Sequence, residues 1–405
     1  MVHFGIDGVA SGGSIVFWCW AVSSLGLRTV SQKASLPISE ILPHKLGQES
    51  KKVLTSNSFF SNMVTLPATF PEMALPTIVD IAKKLGISAS TVSRALNDHP
   101  DCSQRTKELV RRTAAALSYS PNPSAKSLKS NRTTTIGVIV PEIEHDFFSS
   151  AISGIEEVAS KSSHTIIVCQ SNENYEREVE NTNLMVRHRV AGVIVSISLT
   201  TKNGQHFQVL SKRRIPLVFF DRVCDDVTAP KVIIDDYQSA YDAVSYLINK
   251  GRRKIAHFGG SREVGIYSKR NEGYVDAMEK NQLPVLEKLM TNGQSYEEHG
   301  YNSFDALLRE NNIPDAIFAV NDTVAIGAFQ RIKEANLKIP EDVAIIGFSN
   351  DKITHLTNPP ITTVNQPSKE MGKKAAEILI EIIEGKPIEP TTLVMPTTLI
   401  VRASA

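Results

Sequence analysis

From Thr135 onward the chain repeats one rhythm, a short and almost wholly apolar run followed by a longer stretch with helical spacing. The runs are IGVIV (136–140), TIIVCQ (165–170), AGVIVSI (191–197), IPLVFF (215–220), KIAHFGG (254–260), DAIFAVN (315–321) and DVAIIGF (342–348). A strand that is apolar along its whole length must be covered on both faces. Helices between successive runs supply that cover, which is the pattern of a parallel sheet. Two such series in tandem predict two lobes, with a ligand between them at the carboxyl ends of the strands. At 405 residues the chain is longer than one core needs, so a small additional domain is expected ahead of Thr135.

That domain is readable between Thr77 and Ser118. Thr77 followed by Asp80 has the form of a capping box, and Ile78, Ile81, Ala82 and Leu85 make one apolar stripe at helical spacing. Gly86 supplies the positive φ that ends this helix, and Ser88 caps the next, whose Val92 and Leu96 face back onto the first. A third helix from Ser103 to Ser118, with Val110, Ala114 and Leu117 on one face, covers the pair. The result is a helix-turn-helix. Residues 77–132 carry ten Lys and Arg against four Asp and Glu, whereas the remainder carries 34 against 39. A short basic segment on an otherwise acidic chain suits a polyanionic partner, although a merely solvated basic face would give the same tally.

The second helix, Ser88 to Leu96, is of a size to enter the major groove. Ala89, Ser90 and Arg94 are then placed for base edges, and Thr91, Ser93 and Asn97 for phosphates. Thr77 and Ser88 complete the expected DNA-contacting set of this domain. In the large domain, polar and aromatic residues gather where strands end. His145, Phe147 and Phe148 follow the first strand, Asp221 and Arg222 follow FF, Asn321 follows FAV, and Gln366 follows TTVN. Each alone is as well explained as a helix cap. Their recurrence at one topological edge points to a ligand site, and donors and acceptors mixed with rings suit a sugar.

Other features narrow the field by what they lack. Cys19, Cys102, Cys169 and Cys224 show neither CxxC pairing nor zinc spacing and are read as incidental thiols, with no metal and no cofactor expected. No Walker loop, GxSxG elbow or HExxH is present, so the chain is expected not to be an enzyme and no catalytic residue is assigned. The apolar stretch SIVFWCWAVSSLGL (14–27) is short for a membrane span, and no Lys or Arg precedes it as a signal peptide would require. Residues 1–74 are expected to be an irregular extension, with Met73 as the natural first residue.

The stretch TIVDIAKKLGISASTVSRALN, then TKELVRRTAAALSYSPNPSAKSLKSNRTTTIGVIVP, closely resembles the lactose/galactose repressor (LacI/GalR) family, and the likeness runs to about residue 403. The resemblance implies a small all-α helix-turn-helix domain (75–120), a hinge helix and linker (121–133), and a periplasmic-binding-protein-like α/β domain of two parallel-sheet lobes (134–405). The lobes would comprise about 134–235 with 366–390, and 236–365 with 391–405. It implies that Asn122 to Lys129 is a hinge helix contacting DNA through Asn122, Ala125, Leu128 and Lys129, with Leu128 wedged into the minor groove. It adds Arg270 to the effector residues and supports Asp221, Arg222, Asn321 and Gln366 there. Ser349 stands in GFSN where many relatives carry an aspartate. The expected protein is a cytoplasmic, nucleoid-associated homodimeric regulator, a repressor in the first instance. It would bind palindromic double-stranded operator DNA under allosteric control by a small carbohydrate, with no membrane partner.

Overall fold

The computed structural model describes residues 3–11, 14–22, 76–119, 133–294, 296–387 and 391–405. The chain divides into two compact units, Met1–Tyr119 and Ser120–Ala405. In the first, β1 (His3–Ser11) pairs antiparallel with β2 (Ser14–Val22) in a register from His3↔Val22 to Ser11↔Ser14. This corrects the expectation of an irregular extension for those two segments.

The same unit holds α1 (Ile78–Leu85), α2 (Ala89–Leu96) and α3 (Gln104–Ala116). The Asp80 carboxylate accepts from the Thr77 amide at 2.8 Å and the Thr77 hydroxyl at 2.6 Å, tying down the start of α1. Gly86 ends α1 at φ 65°, a left-handed conformation that costs glycine nothing. Ser88 and Ser103 cap α2 and α3 by accepting from the Thr91 and Thr106 amides. Ile81, Ala82, Val92, Ala95, Val110 and Ala114 form one small buried core among the three helices. Five of the six lie on the faces that the spacing predicts; Ala95 is an addition, and the expected Ile78, Leu85, Leu96 and Leu117 pack against this core half-buried.

The second unit contains two six-stranded sheets. The first lobe is built from β3 (Thr135–Val140), α4 (Asp146–Lys161), β4 (Thr165–Gln170), α5 (Tyr175–Arg187), β5 (Gly192–Val195), α6 (Gln208–Lys212), β6 (Leu217–Phe220) and β7 (Lys231–Ile234). The second lobe is built from α7 (Asp236–Asn249), β8 (Ile255–Gly260), α8 (Gly265–Lys280), β9 (Met290–Gly293), α9 (Glu297–Arg309), β10 (Ala316–Ala319), α10 (Asp322–Glu334), β11 (Ala344–Ser349) and β12 (Thr362–Asn365). The chain then returns to the first lobe with α11 (Ser368–Ile383) and β13 (Thr392–Met395), and ends in the second with β14 (Thr398–Ile400). Strand orders are β13-β7-β6-β5-β3-β4 and β14-β12-β11-β10-β8-β9, parallel throughout except for β14.

All seven apolar runs are strands. Ile136, Val138 and Val140 face one core while Ile139 faces another, so β3 is buried on both sides. The expected lobe boundary needs one correction. Residues 392–395 pair with β7 in the first lobe, and of this tail only β14 joins the sheet of the second. Helices α9 and α10 approach unusually closely. A Cβ at Gly327 would sit 1.9 Å from the Glu297 carbonyl oxygen, and one at Gly300 would sit 1.9 Å from that of Val324. Among the described residues no helix is long and apolar enough to cross a membrane.

Candidate functional site

Helix α2 turns Val92 and Ala95 inward and leaves Ala89, Ser90 and Arg94 exposed. Ser88 Oγ lies 2.8 Å from both Ser90 Oγ and Thr91 Oγ1, so the first turn presents a linked row of hydroxyls. Thr91 and Ser93 are half-buried beside it, while Thr77 and Asn97 are exposed. The Asn97 amide donates to the Ser93 carbonyl at 2.8 Å, which closes the far end of the helix. Asp98 is engaged by Lys107 and Arg111, whereas Arg94 makes no ion pair among the described residues. An eight-residue helix is about 12 Å long, close to the width of the major groove. Asn122, Ala125, Leu128 and Lys129 lie outside the described residues.

In the second unit one cleft opens at the carboxyl ends of the strands, between the lobes. All nine expected effector residues line it: His145, Phe147, Phe148, Asp221, Arg222, Arg270, Asn321, Ser349 and Gln366. The structure adds Glu142, Glu173, Leu199, Ile266, Tyr267 and Tyr296. Glu142, Glu173 and Leu199 follow β3, β4 and β5, so they obey the same strand-end rule. Tyr267 precedes Arg270 by one helical turn, a spacing visible in the sequence. Asp221 and Ser349 each sit at the end of a strand with positive φ, 60° and 123°, where an L-residue is strained. Such conformations concentrate at binding sites.

Each arginine in the cleft is held by an acid. Arg270 Nε donates to Asp236 Oδ1 at 2.7 Å and Nη1 to the Val320 carbonyl at 2.6 Å, while the guanidinium lies 3.6 Å over the Phe348 ring. Arg222 Nη1 donates to both Glu173 oxygens at 2.7 and 2.9 Å, and Nη2 reaches Tyr267 Oη at 3.3 Å. Gln366 crosses the base of the cleft. Its amide nitrogen donates to Asp221 Oδ1 at 3.4 Å, and its oxygen accepts from Ser349 Oγ at 3.2 Å. Asn321 caps α10 by accepting from the Val324 amide at 2.8 Å.

Burial dominates the electrostatics. It raises the Asp221 carboxyl even though Arg222 and Arg270 oppose the shift, and raises Asp236 to about 6 against the pull of Arg270. His145 is lowered to about 4, first by burial and then by Arg222, so its ring is neutral at pH 7. Across the mouth, Tyr296 Oη donates to Glu142 Oε1 at 2.7 Å, and Lys352 reaches Asp146 through its amide at 2.8 Å and its ammonium at 3.1 Å. These contacts join the lobes and leave about 40 Å³ of free space inside, enough for a few waters. The cleft therefore combines two clamped cations, a buried carboxyl at Asp221, aromatic rings and neutral amide and hydroxyl groups.

Comparison with known proteins bears on both units. Residues 77–122 match the family described as bacterial regulatory proteins of the lacI family, and residues 244–405 match the periplasmic binding protein-like domain. Catabolite control protein A of Priestia megaterium is 32% identical over 329 residues, covering 81% of this chain and 98% of that protein. The HTH-type transcriptional repressor PurR of Vibrio atlanticus is 31% identical over 331 residues, covering 82% of this chain and 98% of its own length. Among solved structures, the transcriptional regulator CelR in complex with cellobiose is similar at 26% identity and a TM-score of 0.62, covering 82% of this chain and 100% of that one. With a helix-turn-helix, a two-lobed sensor and relatives matched over almost their whole length, the chain belongs to the lacI family of bacterial regulatory proteins and is a DNA-binding transcription regulator of that type.

Proposed function

We propose that this regulator binds a palindromic operator as a homodimer and that a small, uncharged polyhydroxylated ring compound in the cleft controls its affinity. The observation that carries the effector reading is convergence. Residues following nine different strands meet in one cleft, and every polar one of them reaches it from a strand end or from the helix beyond. Both cleft arginines are already neutralised by Glu173 and Asp236, which disfavours a phosphorylated effector. Phe147, Phe148 and Tyr267 offer faces for C–H edges, and Asp221, Asn321 and Gln366 offer acceptors and donors for hydroxyls. The similar CelR, bound to cellobiose, supports a carbohydrate.

On the DNA side, Arg94 would pair bidentately with guanine, and Ala89 and Ser90 would lie against base edges. The row Ser88, Thr91 and Ser93, with Thr77 and Asn97, would hold phosphates and set the register. Coupling requires different effector affinities for open and closed lobes, since a ligand equally at home in both shifts nothing. The test is operator binding by fluorescence anisotropy at fixed salt across a panel of sugars and sugar phosphates. A neutral sugar that changes operator affinity at least tenfold is the expected result. A response confined to phosphorylated compounds, or to none, would overturn the effector reading. A single unpaired half-site bound by monomer would overturn the dimer.

A further inference from the structure

The effector cleft uses the carboxyl ends of the strands of the first lobe; the opposite end carries a second concavity. It is a groove of about 1050 Å³, lined by Thr133, Arg187, Arg189, Arg213 and Arg214 over an apolar floor that includes Val190 and Ile215. Arg187 ends α5 and Arg189 follows it, while Arg213 and Arg214 directly follow α6. Arg189 and Arg214 take the left-handed conformation, φ 52° and 57°, as the chain turns into β5 and β6. All four arginines are exposed, none makes an ion pair among the described residues, and no acid lines the groove. The surroundings run the other way, since residues 133–405 carry 29 Lys and Arg against 35 Asp and Glu.

We propose that this groove binds the phosphate backbone of DNA flanking the operator, an inference that rests on reading the chain as an operator-binding regulator. Cations after helix ends do favour the helix dipole, but one per helix suffices for that, and it leaves the guanidinium free. Exposed guanidinium groups clustered without acids match phosphate oxygens in bidentate geometry. A second copy of the same face would set arginine against arginine. The connecting residues 120–132 are no better matched, because they add Lys126, Lys129 and Arg132 and no acid. A polyanion satisfies both the groove and the connector. Fully extended, those thirteen residues span at most about 45 Å, so DNA held by α2 stays within reach of the groove at high effective concentration.

The test uses the full chain, an operator selected from randomised duplexes, and the same operator extended by about ten base pairs, one helical turn, on each side. Anisotropy is recorded between roughly 50 and 200 mM salt for the wild type and for the quadruple variant Arg187→Gln, Arg189→Gln, Arg213→Gln, Arg214→Gln. The wild type should bind the long duplex about tenfold tighter than the short one and with a steeper salt dependence. The variant should lose that gain and bind the short duplex as before, its salt slope on the long duplex falling by about 0.9 for each phosphate contact removed. Equal flank gains in wild type and variant would overturn the phosphate site while leaving operator recognition standing. A wild type that prefers no duplex would take down the regulator reading itself. A change in sedimentation of the DNA-free variant would identify the groove as a subunit interface and overturn the proposal.

Discussion

Arg270 is gripped from three sides by Asp236, the Val320 carbonyl and the face of Phe348, and it is 2% exposed. Removing it leaves a buried carboxylate without its partner. Arg270→Ala should therefore weaken effector binding by about 2–5 kcal/mol and abolish the operator response, while affinity for operator without effector is unchanged. Titration calorimetry with the active sugar and anisotropy on the operator would check both halves; a variant that still responds would remove Arg270 from the site. On the DNA side, Arg94→Ala should cost about 1–3 kcal/mol of discrimination between operator and random duplex, measured by competition. Equal weakening on both would make Arg94 a phosphate contact instead. At this scale the sequence was informative where residue type and strand-end position coincide, as at Asp221 and Gln366. It was silent at Glu173, because an acid three residues past a strand is indistinguishable from a surface acid until Arg222 is seen against it at 2.7 Å.

Elements were readable where their residues are apolar rather than wherever they are buried, since β4 is half-buried yet reads clearly while β12 is buried and does not. β3, β5, β8, β10 and β11 are apolar runs because helices cover both faces, whereas β9 (MTNG) and β12 (TTVN) are short and mostly polar and carry no such signal. The contact between α9 and α10 was invisible too, since a glycine in a helix reads only as a weak former. Its consequence is measurable. Gly327→Ala should force the helices apart and destabilise the unit by about 1–3 kcal/mol in urea unfolding, and an unchanged midpoint would contradict that packing. β8 supplies a second case. His257 is buried between the rings of Tyr274 and Phe318, with centroids at 5.0 and 5.1 Å, and its Nδ1 lies 3.0 Å from the Phe318 carbonyl. Burial lowers it to about 4, against 6.5 for a free histidine, so the unfolded chain binds a proton there first. Its stabilising contribution is complete above pH 6.5 and is lost as pH falls toward 4. Melting temperatures of the wild type should drop across that window more steeply than those of His257→Gln, and parallel profiles would contradict the assignment.

For the molecule as a whole, the two-lobed plan and the location of the cleft followed from the alternation of strands and helices, but the closure did not. It depends on pairs far apart in sequence, Tyr296 with Glu142 and Lys352 with Asp146, and no local pattern announces them. With about 40 Å³ free inside, a sugar can enter only after the lobes part. The double variant Tyr296→Phe, Asp146→Ala, which removes both lobe-joining contacts, should therefore accelerate both association and dissociation of the effector in stopped-flow fluorescence, several-fold if opening limits the rate. Unaltered rates would mean that opening is not the slow step. The chain crosses between lobes three times, near Asp235, at Gln366–Pro367 and at Pro396–Thr397, and a 2.7 Å hydrogen bond between Ser239 and Thr397 ties two of these crossings together. A protein engineer wishing to graft one sensor half onto another regulator would have to exchange discontinuous stretches of gene at once, because a single splice point near Asp235 would leave the first lobe without α11 and β13, which are encoded beyond most of the second lobe.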